Sequence, residues 1–413
     1  MWPLTALLPL AGLLPVTLAG TWSAPALAKR QGDRTFVHPG ALHTTEDFER
    51  IKAHLDAAEE PWNTAWQHLQ GVEYAQTDWQ PKPHEQLVRG ATDELTENYR
   101  DAFHDAHSAY QLAVRWRLSG DDAFAEHAAS ILDAWSSTLR EITGNPDRYL
   151  AAGIYGYQFA NAAELLRDYD GWGPDSQEAF ATMLTDVFAP MNRLFLDEHN
   201  NQPDFYYANW DLCNIASLMA IGIFTDNATM FDYAVEYFLY GPADGSVANG
   251  ALPFFAIANF TEEDTGKTLT QMQESGRDQA HALMCFGLLG TIAQQGYNQG
   301  IDLFEAWGNE ILNAAEYTAK YNVNETVPYE PYESWEGVLE EISPDSRSDL
   351  RPGFELLYAH YAEIKGLDAS WSKAFRDYVN ENTEDNVEGG GGDYSPNSGG
   401  FDCLGHGTLL YRL

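Results

Sequence analysis

Apolar positions along the chain recur mostly at intervals of three and four, the spacing that puts them on one face of a helix. In TTEDFERIKAHLDA, Phe48, Ile51 and Leu55 share such a face, with Thr45 as the N-cap and Asp47 in the first turn. The stretch DAHSAYQLAVRWRLSGDDAFAEHAASILDAWSSTLREI predicts two helices broken at Ser119-Gly120-Asp121, with Tyr110, Ala113, Val114 and Leu118 turned inward on the first. Further helix pairs are predicted at about 150–169 and 174–197, 209–224 and 228–240, 271–295 and 299–320, and 352–365 and 369–382. About a dozen helices joined mostly by short polar turns imply an array of antiparallel helical hairpins. The chain has no strict repeat of the solenoid kind. The predicted fold is therefore all-α, a single (α/α) toroid or barrel in which a ring of hairpins buries its two end units against each other. Long loops at about 241–270 and 321–350, rich in aromatic, acidic, Gly and Pro residues, are the expected site builders.

Two segments break this regularity. QMQESGRDQAHALMCFGLL, residues 271–289, carries a dense polar cluster into an apolar run. Read as one helix, it lines up Gln273, Arg277 and His281 at i, i+4 and i+8, with Leu283, Phe286 and Leu289 on the packed side and Glu274 and Asp278 flanking Arg277. His281 and Gln279 lie within the apolar part, where polar groups are costly unless paired. The tail NVEGGGGDYSPNSGGFDCLGHGTLLYRL starts as a Gly-rich linker at 389–392. It ends apolar, at Phe401, Leu404, Leu409, Leu410 and Tyr411, which predicts docking on the body.

Residues 1–30 read as a leader: an apolar run broken by Pro3, Pro9 and Pro15, ending in Ala26-Leu27-Ala28 and followed by the dibasic Lys29-Arg30. The run is too short and broken for a membrane span, and residues 31–413 then form one mature domain of a secreted, fungal protein. Sequons at Asn227, Asn259 and Asn324 fit that route. Cys213, Cys285 and Cys403 allow one intrachain disulfide at most, and buried free thiols suit Cys213 and Cys285 better. The net charge of -39 becomes -41 after cleavage at Arg30, which excludes nucleic acid as a partner. It also opposes any polyanion unless a local basic site or salt overrides it.

Candidate chemistry gathers in three places. Besides 273–281, YYANWD at 206–211 opens a strongly apolar helix. There Asn209 or Asp211 serves as a cap, or the helix start, preceded by Tyr206 and Tyr207, receives a sugar carboxylate while the two rings stack on pyranose rings; both readings stay open. Between 327 and 361, Tyr329, Tyr332 and Trp335 crowd an acidic loop. Arg351 precedes Pro352 at a helix start, where its charge opposes the macrodipole, with Glu355 as a local partner.

FVHPGALHTTEDFERIKAHL, NWDLCNIASLMAIGIF, QESGRDQAHALMCFGLLG, NQGIDLFEAWGNEILNAAEYTAKYNV, RPGFELLYAHY and LGHGTLLY together resemble the alginate-lyase-domain proteins, closest to polysaccharide lyase family 38, over about His38 to Leu410. The resemblance implies an (α/α) toroid that cuts β-1,4-linked polyuronates, polymannuronate or glucuronan, by β-elimination, with a 4,5-unsaturated uronate as product. That chemistry needs a donor to neutralise the C6 carboxylate, a base for the C5 proton and an acid for O4. Carried onto this chain, the resemblance implies Asn209 as neutraliser, Arg277 and His281 around the +1 sugar, and Tyr332, or second Tyr358, as the catalytic phenol. Trp210, Tyr206, Tyr207, Gln273, Gln279, Arg351, Tyr329 and Trp335 are the implied substrate contacts. No metal and no cofactor is assigned, and the expected protein is a monomer with an anionic polysaccharide as its only partner. The chain departs from the family 5 pattern, in which Asn is followed directly by His: Asn200-Asn201 is followed by Gln202. Rival readings are an inverting glycoside hydrolase using a pair from Glu274, Asp278, Glu333 and Glu336, and a glycan-binding protein without turnover.

Overall fold

The computed structural model describes residues 34–413; the expected leader and its cleavage site lie outside them. In chain order the elements are α1 (Thr45–Asp56), α2 (Trp62–Gly71), β1 (Gln86–Val88), α3 (Tyr99–Ser119), α4 (Asp122–Thr138), β2 (Glu141–Thr143), α5 (Arg148–Leu165), α6 (Pro174–Met183) and α7 (Ala189–Glu198). They continue with α8 (Ala208–Phe224), α9 (Ala228–Tyr240), α10 (Leu252–Phe255), β3 (Ala256–Thr261), β4 (Thr268–Met272), α11 (Gln279–Asn298) and α12 (Ala306–Asn322). The chain ends with β5 (Tyr332–Ser334), β6 (Gly337–Leu339), α13 (Phe354–Tyr358), α14 (Ser370–Glu381) and α15 (Gly407–Leu410). Each strand pairs with one neighbour only: β1 with β2 in parallel, β3 with β4 and β5 with β6 antiparallel.

Helices α3, α5, α8, α11 and α13 form an inner ring, each packed on the next, and α4, α9, α12 and α14 lie outside it. The inner helices are apolar nearly all round because both their sides are covered. Every residue of α5 from Tyr149 to Leu165 is buried, as is all of α8 except Trp210. The ring closes through the chain ends: α13 packs on α15, α15 on α1, and α1 on α3. Arg50 of α1 locks this closure by donating to the carbonyl oxygens of Leu410, at 3.0 Å, and Arg412, at 2.6 Å. The N-termini of the inner helices, and the loops that lead into them, therefore share one rim of the toroid.

Several boundaries differ from the sequence expectation. The first helix is capped by Thr44, not Thr45, in a capping box with Asp47. The helix expected over 271–295 starts only at Gln279, so Gln273, Arg277 and His281 do not share a helical face. The 389–392 glycines are no linker. Gly389, Gly390 and Gly391 are buried, and a side chain there would collide with the chain's own histidines: a Cβ on Gly390 would lie 2.1 Å from His406 Nε2, and one on Gly391 2.2 Å from His107 Nδ1. The three cysteines are buried and unpaired.

Candidate active site

The polar cluster is a strand, a turn and a helix start. β4 pairs with β3 through Thr268–Met272, two turns follow, and Asp278 then caps α11 by accepting from the His281 N–H at 2.9 Å. The turn lets Glu274, Arg277, Asp278 and His281 converge as a helix would not. Arg277 Nη1 donates to Glu274 Oε2 at 3.1 Å, and its Nη2 faces His281 Nε2 at 3.4 Å. The other oxygen of Asp278 accepts from His281 Nδ1 at 2.7 Å. In this network Nδ1 carries the proton and Nε2 is left with its lone pair, the tautomer of a base oriented by a carboxylate. Burial alone would raise the Asp278 carboxyl, but the hydrogen bonds from His281 and the charge of Arg277 hold it below its ordinary value.

The first turn of α8 is stitched to the same segment. Gln273 Oε1 accepts from the Ala208 N–H at 2.8 Å and Glu274 Oε1 from the Asn209 N–H at 2.9 Å. These N–H groups are therefore already occupied, and the helix start is not an open anion site. Asn209 does not cap it either, and Asp211 is engaged elsewhere, with His199 at 2.7 Å, the Tyr237 hydroxyl at 3.2 Å and the Gly250 N–H at 3.1 Å. The Asn209 amide is 2% exposed; its Nδ2 faces Met284 Sδ at 3.9 Å and its Oδ1 has no partner. A buried, unsatisfied amide is unusual in a folded core.

Of the aromatic candidates, Tyr207 reaches this corner. The Arg277 guanidinium lies over its ring, 4.5 Å from the centroid, and the hydroxyl donates to Glu336 Oε2 at 3.0 Å. Burial first, with Glu336 adding to it, pushes the phenol up to about 12, against the pull of Ser334 and Arg277. Tyr332 instead props the turn from behind: its hydroxyl donates to the Gln273 carbonyl at 2.5 Å and accepts from the Gly276 N–H at 3.1 Å. Tyr329 does similar work, donating to the Leu339 carbonyl at 3.0 Å. Tyr358 stands apart, under the Arg376 guanidinium at 4.3 Å in the α13–α14 wall. Gln279 is a strut among Ser275, Ser343 and Asn322. Arg351 pairs with Asp402 at 2.9 Å and Asp349 at 3.5 Å, not with Glu355.

Three cations that the sequence did not single out complete the rim. Arg89 follows β1, Arg100 lies in the first turn of α3, and Arg148 opens α5. Arg89 donates to the Tyr155 hydroxyl at 3.0 Å, Arg148 to the Tyr149 hydroxyl at 3.1 Å and Arg100 to the Pro396 carbonyl at 3.3 Å. Among the described residues, no carboxylate stands within ion-pair distance of any of the three. Arg148 is close enough for its charge to act on the Tyr206 phenol, which links this flank to the Tyr207 corner. Arg89 and Arg148 are half-buried and Arg100 is exposed; arginines without carboxylate partners are places for an external anion, and they answer the objection that so acidic a chain should repel one. Among the described residues no cluster of His, Cys, Asp and Glu is arranged to hold a metal.

The alginate lyase family profile matches residues 43–327, more than half of the chain. The chain belongs to the alginate lyase family. It is a polysaccharide lyase, and the hydrolase reading falls away. Among solved structures it is similar to an alginate lyase from Bacteroides ovatus, at 11% identity over 85% of this chain and 97% of that one, with a TM-score of 0.57. It is also similar to alginate lyase A1-III from Sphingomonas species A1, at 15% identity over 95% and 100%, with a TM-score of 0.55. A variant of A1-III complexed with tetrasaccharide matches at 14% identity over 91% and 97%, with a TM-score of 0.57. At these identities the likeness establishes the toroid fold. No curated protein matches the chain.

Proposed function

We propose that this lyase is secreted and cleaves β-1,4-linked polymannuronate or glucuronan at the corner formed by Arg277, His281, Tyr207 and Asn209. The observation that carries the proposal is that His281 and Tyr207 both touch one guanidinium, at 3.4 Å and 4.5 Å. Base and acid then stand on the same side of the sugar. Mannuronate and glucuronate place the C5 hydrogen and O4 on a common face, which such a corner serves; guluronate, inverted at C5, needs them on opposite faces.

Arg277 and the Asn209 amide neutralise the C6 carboxylate and so acidify C5–H. His281 Nε2 takes that proton, the electron pair forms the C4=C5 double bond, and the C4–O4 bond breaks. Tyr207, neutral because its phenol titrates near 12, donates its proton to O4. Loss of the imidazolium proton to solvent and uptake of one by the phenolate restore both groups. Tyr207 thus takes the role that the sequence resemblance implies for Tyr332. The leader-like start of the sequence supports secretion, as do the sequon residues Asn259 and Asn324, both exposed.

Comparing Tyr207→Phe with Tyr332→Phe tests the assignment. The first should lower kcat by about 10²–10⁴-fold in a folded protein. The second should destabilise by about 1 kcal/mol through its lost hydrogen bonds, with turnover retained. The reverse outcome would return the acid role to Tyr332.

A further inference from the structure

Charge around the active-site rim is segregated. In ring order Arg89 and Arg100 belong to the entry of α3 and Arg148 to α5, the catalytic corner lies between α8 and α11, and the β5–β6 hairpin, which follows α12 in the chain, reaches over the entry of α8 through Trp335 and Glu336. That hairpin and its flanks carry Glu330, Glu333, Glu336, Glu340 and Glu341, all exposed, with no ion-pair partner among the described residues. At its tip Trp335, 49% exposed, rests against Phe205, 38% exposed, with ring centroids 4.5 Å apart. Directly beside this pair, the hydrogen bond from Tyr207 to Glu336 ties the hairpin to the catalytic corner.

Two half-exposed aromatic faces held together at the edge of a carbohydrate site offer an apolar surface to the C–H face of a pyranose. The five glutamates around them repel each further uronate that would pass beyond. The entries of α3 and α5, with Arg89, Arg100 and Arg148 outside any ion pair among the described residues, attract such units. A polyuronate therefore has a favourable path from the corner toward the entries of α3 and α5 and an unfavourable one across the hairpin.

We infer that Phe205 and Trp335 form a platform for a terminal sugar, and that the acidic hairpin stops the chain there, so that the lyase cuts short units from a chain end. This inference rests on the elimination chemistry proposed above. Chain ends are then consumed from the first turnovers, with mono- and disaccharides as early products and the polymer's viscosity falling slowly.

The test follows product sizes and viscosity early in the digestion of polymannuronate and glucuronan. It compares the natural protein with Trp335→Ala and with the triple variant Glu333→Gln, Glu340→Gln, Glu341→Gln. Early mono- and disaccharides from the natural protein, shifting to longer oligosaccharides with a several-fold steeper viscosity drop in the variants, support the inference. Long oligosaccharides from the natural protein at the outset, or an unchanged profile in the variants, overturn it. Binding of a saturated tetrauronate in a His281→Asn background, read by calorimetry, decides the platform apart from turnover. Trp335→Ala should weaken it about five- to tenfold, and unchanged affinity overturns the platform. Absence of any unsaturated product refutes the elimination chemistry alone.

Discussion

Asp278 shows how much a single side chain carries here. One of its oxygens caps α11 and the other fixes the His281 tautomer, so the same residue starts the helix and orients the base. Asp278→Asn keeps an acceptor for the cap but loses the charge that favours Nδ1–H. We expect kcat to fall about 10–100-fold, with KM and the melting temperature nearly unchanged; a drop confined to stability would make Asp278 a cap only. That Arg277, Asp278 and His281 lie close together was legible in the sequence, since all three stand in one polar cluster. The choice among tyrosines was not. Tyr207 and Tyr332 both lie in aromatic loops, and only the fold shows which hydroxyl is spent on backbone groups.

At the scale of elements, periodicity located the helices from Asp122 to Tyr240 closely, those of the inner ring and those outside it alike. It failed at 271–278, where Gln, Met and Glu are good helix formers. The strand pairing of Thr268–Met272 with Ala256–Thr261 overrides that propensity, a long-range effect that local spacing does not record. The glycine run was misread for a related reason: its role depends on His68, His107 and His406, far away in sequence. Gly391→Ala would drive a Cβ into His107 at 2.2 Å in a buried site. It should cost about 1–3 kcal/mol, read as a lower melting temperature, whereas Gly71→Ala, with open space around it, should cost nothing comparable. Equal melting points for the two variants would make the run a spacer after all.

Over the whole molecule, the docked tail carries a pH dependence. His68 is raised to about 9, first by its hydrogen bond to Asp393, against burial, with Asp385 adding to it. A histidine raised in the folded state contributes stability that is full below its unfolded value near 6.5 and is lost as pH rises through about 9. Glu388, raised to about 8 by burial and by neighbouring Glu355, acts in the same direction. His107 and His406, lowered by burial to about 3 and about 4, act only on the acid side of 6.5. The melting temperature of the natural protein should therefore exceed that of His68→Asn by a few degrees at pH 6, and the gap should close by pH 10. A gap constant across that range would remove His68 from the closure. Charge at this scale was half legible: the sequence shows an acidic surface that opposes a polyanion, but not that Arg89, Arg100 and Arg148 gather unpaired on one flank.

Elimination is expected from uronates that present the C5 hydrogen and O4 on one face. The direct measurement is ultraviolet absorbance of the new double bond, followed with purified protein on separate samples of polymannuronate, polyguluronate and glucuronan, at acidic and neutral pH and with added salt. Rising absorbance on polymannuronate or glucuronan and a flat trace on polyguluronate is the predicted result. Faster turnover of polyguluronate, or new reducing ends without any double bond, would contradict it.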